Sequence, residues 1–314
     1  MSIKNICILG GSGFVGTHLA SQLCGEGKSI RVITRRRDHC NHLMVLPNID
    51  IVEANIHDQQ VLEQQFKGMD AVINLVGILN ERQHNGDGFR QIHIELPRKI
   101  LNACHHNKVP RVLHMGALNA DANSSPSNYL RTKGEGENHI HAFAGKINVT
   151  SFRPSVIFGE DDSFVNRFAG ILKMTPLMFP LACSYTRFAP VYVNDVAHQF
   201  ASALEDKTSY GKRIDLCGPK EYTLKQLAEY IATNMGLKTK IIPLPDIFAQ
   251  IQAHIFEWVP GKPFSLDNFQ TLQVDSICQN GIRMPTTIES ILPYTLGNKK
   301  QQSILDKQRQ QACR

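Results

Sequence analysis

Short apolar runs alternate with longer stretches in which apolar residues recur every three or four positions, and this alternation holds over the first half of the chain. Runs of strand length occupy residues 5–10, 29–35, 50–55, 71–77, 111–118 and 148–153, and stretches of helical period fill 14–25, 59–66, 89–106 and 127–144. A strand-then-helix rhythm of this kind predicts a parallel sheet with crossover helices. The run from Ala71 to Gly77, with one polar residue in seven, suits a strand covered on both faces. The predicted class is α/β, a doubly wound parallel sheet.

Beyond Gly159 the rhythm breaks, and residues 164–188 are rich in Phe, Met and Pro. This predicts a first domain over 1–158, joined by segments that return from later in the chain, a smaller lobe over 159–297, and a polar tail over 298–314. The clearest later elements are a helix over 194–205, a strand over 213–216 and a helix over 223–235. Thr223 is placed to cap that last helix, because its hydroxyl can accept a hydrogen bond from a first-turn N–H.

Composition narrows the function classes. The chain has 314 residues and a formal charge of +6, but residues 298–314 hold five Lys/Arg against one Asp and so carry +4 of it. The remainder is nearly balanced, which argues against nucleic acid as a partner. No apolar run reaches the length of a transmembrane helix. The eight cysteines form no C-x-x-C or Cys/His cluster and read as reduced thiols, and the histidine pairs at 105/106 and 139/141 lack acidic or thiolate partners at metal-ligand spacing. The first five residues lead directly into an apolar run, leaving no room for a secretory leader. The expectation is a cytoplasmic protein with no bound metal.

The chemistry starts at Gly10, Gly13 and Gly16, a G-x-x-G-x-x-G series between the first strand and the first helix. In that setting the first glycine allows a tight turn, the second lets a pyrophosphate approach the backbone, and the third lets helix pack on strand. Backbone N–H groups of the loop and the helix start, across Ser12, Phe14 and Val15, then face the phosphates with the positive end of the helix dipole. This predicts a Rossmann-type dinucleotide site. After the second strand come Thr34, Arg35, Arg36 and Arg37, where a carboxylate for the adenosine ribose is expected. Guanidinium groups at Arg35 and Arg36 suit a 2′-phosphate, so NADP(H) is favoured and NAD(H) is the alternative. Asn55 and Ile56 after the third strand, and Leu75, Val76 and Gly77 after the fourth, are candidates for lining adenine and ribose. Met115, Pro154 and Val156, at and after the ends of the fifth and sixth strands, complete the candidate cofactor residues.

Tyr129 and Lys133 lie four apart in a helical stretch and so share a face. An adjacent ammonium stabilises phenolate, making the tyrosine a usable acid or base. Together with the glycine series, RPSVIFG at 153–159, YLRTKGEGE at 129–137 and PVYVNDVA at 190–197, this pair resembles the extended, atypical branch of the short-chain dehydrogenase/reductase superfamily. More narrowly, HMGALNAD at 114–121, YLRTKGEGE at 129–137 and RPSVIFGEDDSFVNRF at 153–168 resemble the nucleotide-binding accessory subunit family of respiratory complex I and its bacterial relatives. The resemblance runs to about residue 235. It implies that Tyr129 exchanges a proton with a substrate oxygen, that Lys133 binds ribose and tunes Tyr129, and that a serine or threonine at the end of the fifth strand steadies the oxygen. Counting back from Tyr129, that position falls on Gly116, which has no hydroxyl; Ser124, Ser125 and Ser127 come later, in the following loop. His93 stands where many extended members carry Asn.

Two function classes stay open. One is an NADPH-dependent reductase or epimerase-like enzyme acting on a lipophilic carbonyl or quinone-like molecule, with the Met/Phe-rich stretch either walling a pocket or forming lobe core. The other, favoured by Gly116 and by the resemblance, is a scaffold with weak or lost catalysis that holds the nucleotide and docks to a membrane-associated respiratory assembly at the inner membrane face. An apolar stripe of Ile247, Phe248, Ile251, Ile255, Phe256 and Trp258 is a candidate docking helix or simply a core-facing one.

Overall fold

The structure is a computed structural model that describes residues 2–81, 85–175, 177–245, 247–250 and 264–296. The chain runs β1 (Asn5–Leu9), α1 (Phe14–Gly25), β2 (Ser29–Thr34), β3 (Ile49–Glu53), α2 (Gln59–Phe66) and β4 (Ala71–Asn74). It continues with α3 (Asp87–Arg90), a π-helical turn (Gln91–Glu95), α4 (Leu96–His106), β5 (Arg111–Met115), α5 (Asn128–Ala142) and β6 (Asn148–Pro154). Next come β7 (Ile157–Phe158), α6 (Ser163–Met174), β8 (Met178–Leu181), β9 (Arg187–Phe188), β10 (Val191–Tyr192), α7 (Val193–Ala203) and β11 (Arg213–Cys217). The described elements end with β12 (Tyr222–Thr223), α8 (Leu224–Asn234), β13 (Lys240–Pro243), α9 (Leu266–Thr271), β14 (Ile282–Arg283) and α10 (Ile288–Leu296).

One eight-stranded sheet has the order β3-β2-β1-β4-β5-β6-β11-β14, and the pairings from β3 through β11 are parallel. The order reverses beside β1, which leaves a crevice at the carboxyl ends of β1 and β4, where open α/β sheets bind ligands. Strands β4 and β5 are buried throughout, because helices cover both faces. Val72, Val112 and Val149 pack on one face against Leu62, Ile100 and Ile140 of α2, α4 and α5. On the other face α1 and α7 lie together, and Phe152 of β6 meets Phe200 of α7 at 4.6 Å between ring centres. Each such buried side chain contributes roughly 1.5–3 kcal/mol relative to exposure. The predicted doubly wound sheet is therefore the observed one.

Two compact units divide the chain. The first comprises 1–155, 193–216 and 278–282, and the second 156–192, 217–277 and 283–314. The second unit is built from two-stranded pairs, β7 with β10, β8 with β13 and β9 with β12, around a core that includes Phe158, Leu172, Phe179, Phe188, Leu227, Ile231 and Leu292. Phe164 and Phe168 pack on that core, so the phenylalanines of the Met/Phe-rich stretch serve as lobe interior. Thr223 caps α8 as expected, and reciprocally: Gln226 N–H donates to Thr223 Oγ1 at 3.1 Å while Thr223 N–H donates to Gln226 Oε1 at 2.8 Å.

Two expectations are corrected. Cys217 and Cys278 are disulfide-bonded, whereas Cys7, Cys24, Cys40 and Cys104 are free thiols. Neither cysteine stands in a C-x-x-C or other short-range spacing, so thiol usage in the sequence could not reveal this. The fourth strand stops at Asn74 rather than Gly77, because Asn74 Oδ1 accepts from Val76 N–H at 3.1 Å and turns the chain out of the ladder. No helix among the described residues is long and apolar enough to cross a membrane. Of the apolar stripe, Ile251, Ile255, Phe256 and Trp258 lie outside the described residues, as does the basic tail; Ile247 and Phe248 are exposed.

Candidate functional site

The glycine turn closes the carboxyl end of β1. Gly10 has φ +80°, a conformation that a side chain would strain, and its N–H-facing turn is completed by Gly13 N–H donating to Gly10 O at 3.1 Å. A Cβ on Gly16 would lie 2.3 Å from Gly10 O, so only glycine lets α1 start against the turn. Gly11, to which the spacing assigned no task, is equally constrained: its Cβ would lie 2.8 Å from Val32 of β2. Gly13 is the N-cap of α1 and supplies no side-chain cap, which leaves the first-turn N–H groups of Phe14, Val15 and Gly16 without a side-chain acceptor. Ser12 lies in the same turn. An uncapped helix start behind bare backbone fits a dinucleotide pyrophosphate.

At the β2 end Thr34 is buried, and its hydroxyl closes a local turn, donating to Arg36 O at 3.1 Å and accepting from Arg36 N–H at 3.3 Å. Arg35, Arg36 and Arg37 are exposed. Glu53, which ends β3 and pairs in register with Thr34, accepts from Arg37 N–H at 2.9 Å; this carboxylate at the turn went unread in the sequence because it comes from the next strand. Arg35 is close enough to act on His57, whose pKa is lowered by burial first, then by Lys99 and Arg35. Asn55 Oδ1 accepts from His57 N–H at 3.0 Å, and Ile56 is buried in the sheet core rather than presented at the surface. A Cβ on Gly10 would lie 3.1 Å from the Leu75 carbonyl carbon and 3.2 Å from Val76 N, so Leu75 and Val76 border the glycine turn.

Tyr129 and Lys133 stand on α5, whose start is capped by Ser127, its hydroxyl accepting from Leu130 N–H at 3.1 Å. Lys133 is buried and its Nζ donates to Met115 O at 2.9 Å; a Cβ on Gly77 would lie 3.1 Å from the same nitrogen. The missing side chain at Gly77, in the turn after β4, is thus what admits the ammonium. Burial lowers the Lys133 pKa to about 8, against the opposing pull of Glu137 one helical turn on. The Tyr129 ring meets His93 edge-on at 5.5 Å and Phe89 at 6.3 Å, and Phe89 stacks on His93 at 5.6 Å. His93 is fixed at both nitrogens: Ile78 N–H donates to Nε2 at 3.2 Å, and Nδ1 lies 3.0 Å from Thr132 Oγ1, which itself donates to Asn128 O. That pattern assigns the proton to Nδ1. Burial, reinforced by Lys133, lowers the His93 pKa to about 2, so the ring is neutral. His93 lies in the π-helical turn, a distortion frequent at functional sites.

A Cβ on Gly116 would lie 3.2 Å from both Arg153 Cγ and Glu137 Oε1, against a buried ion pair. Glu137 is fully buried and receives Arg153 Nε at 2.8 Å and 3.0 Å through its two oxygens, as well as Arg153 Nη2. The strand-end residue that packs in one cluster with Ala120 and Leu130, on which Tyr129 rests, is Ala117. It too lacks a hydroxyl. Ser125 is committed to its own loop and Ser127 to the helix cap, so neither replaces it. Pro154 is buried and its carbonyl accepts from Leu118 N–H at 3.2 Å, whereas Val156 belongs to the second unit and packs on that unit's core.

These features, a doubly wound sheet, an uncapped glycine turn at its switch point and a Tyr/Lys pair beside it, define a nicotinamide-dinucleotide protein of the short-chain dehydrogenase/reductase kind. The chain belongs to the NAD dependent epimerase/dehydratase family, which it matches over residues 6–216. It is 29% identical over 268 residues to NADH dehydrogenase [ubiquinone] 1 alpha subcomplex subunit 9 of Mus musculus, covering 84% of this chain and 67% of that protein. It is 25% identical over 243 residues to the ceramide reductase of Caulobacter vibrioides, covering 77% and 74%. Among solved structures, the UDP-glucuronic acid 4-epimerase of Bacillus cereus, in complex with UDP-glucuronic acid and NAD, superposes with a TM-score of 0.71 at 18% identity, covering 95% and 99%. The resemblance read from the sequence thus holds at the level of superfamily and of complex I relatives.

Proposed function

We propose that this chain is an NADP(H)-binding protein that serves as an accessory or scaffold component of a respiratory NADH:quinone oxidoreductase-type assembly, with weak or lost catalysis. The observation that carries this reading is the hydroxyl-free strand end: Gly116 faces a buried ion pair and Ala117 lies in the cluster with Tyr129. Losing one such donor costs about 10²–10³-fold in turnover. The likeness to the mouse mitochondrial subunit supports the assembly, and peripheral attachment at the inner face of a membrane accords with it. Arg35 and Arg36, exposed beside the β2 end with no acidic residue at position 34, support the 2′-phosphate form over NAD(H). Bound there, the nucleotide supplies hydride exchange at its nicotinamide. Gly10 to Gly16 would hold its phosphates and Lys133 its ribose, with Tyr129 on the same helix placed to exchange a proton with a substrate oxygen.

A second reading, an active reductase on a lipophilic carbonyl or quinone-like molecule, is favoured by the intact Tyr129/Lys133 face, the ordered Phe89/His93 wall and the ceramide reductase likeness. One preparation tests both. Mass spectrometry of the nucleotide that copurifies should find NADP(H), and the same sample given small quinones and aldehydes should oxidise NADPH barely or not at all. Ala117→Ser should raise any residual rate by up to about 10²–10³-fold, the range such a donor is worth, and Tyr129→Phe should abolish it. Rapid wild-type turnover lost in Tyr129→Phe would replace the scaffold reading with the reductase. Recovery of no nucleotide, with no binding on titration, would end both.

A further inference from the structure

We infer that the outward face of the β8/β13 pair, with the end of α6, is a docking surface for an anionic lipid bilayer. This surface lies wholly within the second unit and does not depend on the nucleotide reading. The parallel register sets Met178 opposite Lys240 and Pro180 opposite Ile242, so these four side chains share one face, while Phe179, Leu181 and Ile241 fill the core behind it. Met174, at the last turn of α6, is 77% exposed, Leu177 is 81% exposed and Met178 60% exposed. Lys240 N–H donates to Leu177 O at 3.0 Å, which ties the apolar tip to the lysine-bearing strand. Lys173, Lys238 and Lys240 are exposed around it.

Within the stretches that build the face, the charge is of one sign. No acidic residue occurs between Asp162 and Asp195 or between Glu229 and Asp246, the two stretches that build the face. Flexible apolar chains rimmed by lysines whose stems can lie along them match the boundary between headgroups and acyl chains. A protein interface of this kind would be anchored by buried aromatic or arginine side chains, and Met174, Leu177, Met178, Pro180, Lys240 and Ile242 include neither. Each lysine near an anionic surface gains about 5-fold in partitioning, so three together supply about 100-fold.

Cosedimentation of the full chain with phosphatidylcholine vesicles, with and without phosphatidylglycerol, tests this. Association is expected with the anionic vesicles only, weakening as salt rises. Lys173→Glu/Lys238→Glu/Lys240→Glu should lower it about 100-fold or more, and Leu177→Ser/Met178→Ser should lower it by about 10-fold. The basic tail is controlled by Lys299→Glu/Lys300→Glu/Lys307→Glu, which should retain the binding. All altered positions in the face are exposed, so melting temperature and NADPH binding should stay at wild-type values and report that the variants fold. No vesicle association, loss in the tail variant with none in the face variants, or use of the face by a protein without vesicle binding each overturns the inference.

Discussion

Lys133 and His93 are the two residues through which pH acts on the site. His93, with a pKa lowered to about 2, stays neutral in the folded protein while the unfolded chain takes up a proton near 6.5. Its stabilising contribution is therefore fully present above about pH 6.5 and is lost progressively as pH falls toward 2. Urea unfolding at a series of pH values should show stability declining below pH 6.5, by about 1.4 kcal/mol per pH unit for each such imidazole. His114, buried on β5 with Asn74 Nδ2 donating to its Nδ1 at 3.1 Å, adds a second and is also held well below its ordinary value by burial. His93→Gln should flatten the slope by about one proton; an unchanged slope would refute the buried neutral ring. Lys133, lowered to about 8, acts in the alkaline window, where stability rises between about pH 8 and 10.5 because the unfolded chain still holds a proton that the folded one has released. The Tyr/Lys spacing was legible in the sequence because helical periodicity fixes which side chains share a face. The residue beside Tyr129 was not, since counting along a strand end to Gly116 says nothing about where a side chain points once the ladder has ended at Met115.

Elements meet at the site through close backbone approach and a buried carboxylate, Glu137, paired with Arg153 and Arg213. In α5, a Cβ on Gly136 would lie 1.7 Å from His93 O, so the π-helical turn and α5 touch through bare backbone. Sequence periodicity predicted one helix over 89–106, and the turn that divides it was invisible because one extra residue per turn barely changes the apolar pattern. Two variants probe these joints. Gly16→Ala must displace α1 from Gly10 O and should cost about 1–3 kcal/mol in urea unfolding while weakening nucleotide binding, whereas Gly145→Ala, at a surface position, should leave binding untouched. Glu137→Ala strands Arg153 opposite a buried gap and should cost about 3–5 kcal/mol; Glu137→Leu/Arg153→Met should recover most of that, because replacing a buried pair together removes its desolvation cost. Equal losses in the single and double variants would show that the helix position, rather than the charge, is what Glu137 holds.

On the scale of the whole molecule, the first unit was largely legible and the second was not. Parallel strands buried on both faces announce themselves as apolar runs, while two-residue strands such as β7, β9 and β12 leave no period to read. The nucleotide acts at this scale as well, since a ligand that binds only the folded protein stabilises it by mass action. At a concentration one hundred times its dissociation constant NADPH should add about 2.7 kcal/mol, raising the melting temperature of a unit this size by roughly 5–10 °C. If Arg35 and Arg36 grip a 2′-phosphate, Arg35→Ala/Arg36→Ala should remove about 1.5–3 kcal/mol of NADPH affinity per charged hydrogen bond lost and leave the smaller shift given by NADH unchanged. Both arginines are exposed, so the melting temperature without nucleotide should not move. Equal loss of the NADPH and NADH shifts would mean that the pair serves the turn itself, and the preference for the phosphorylated cofactor would then have to come from elsewhere.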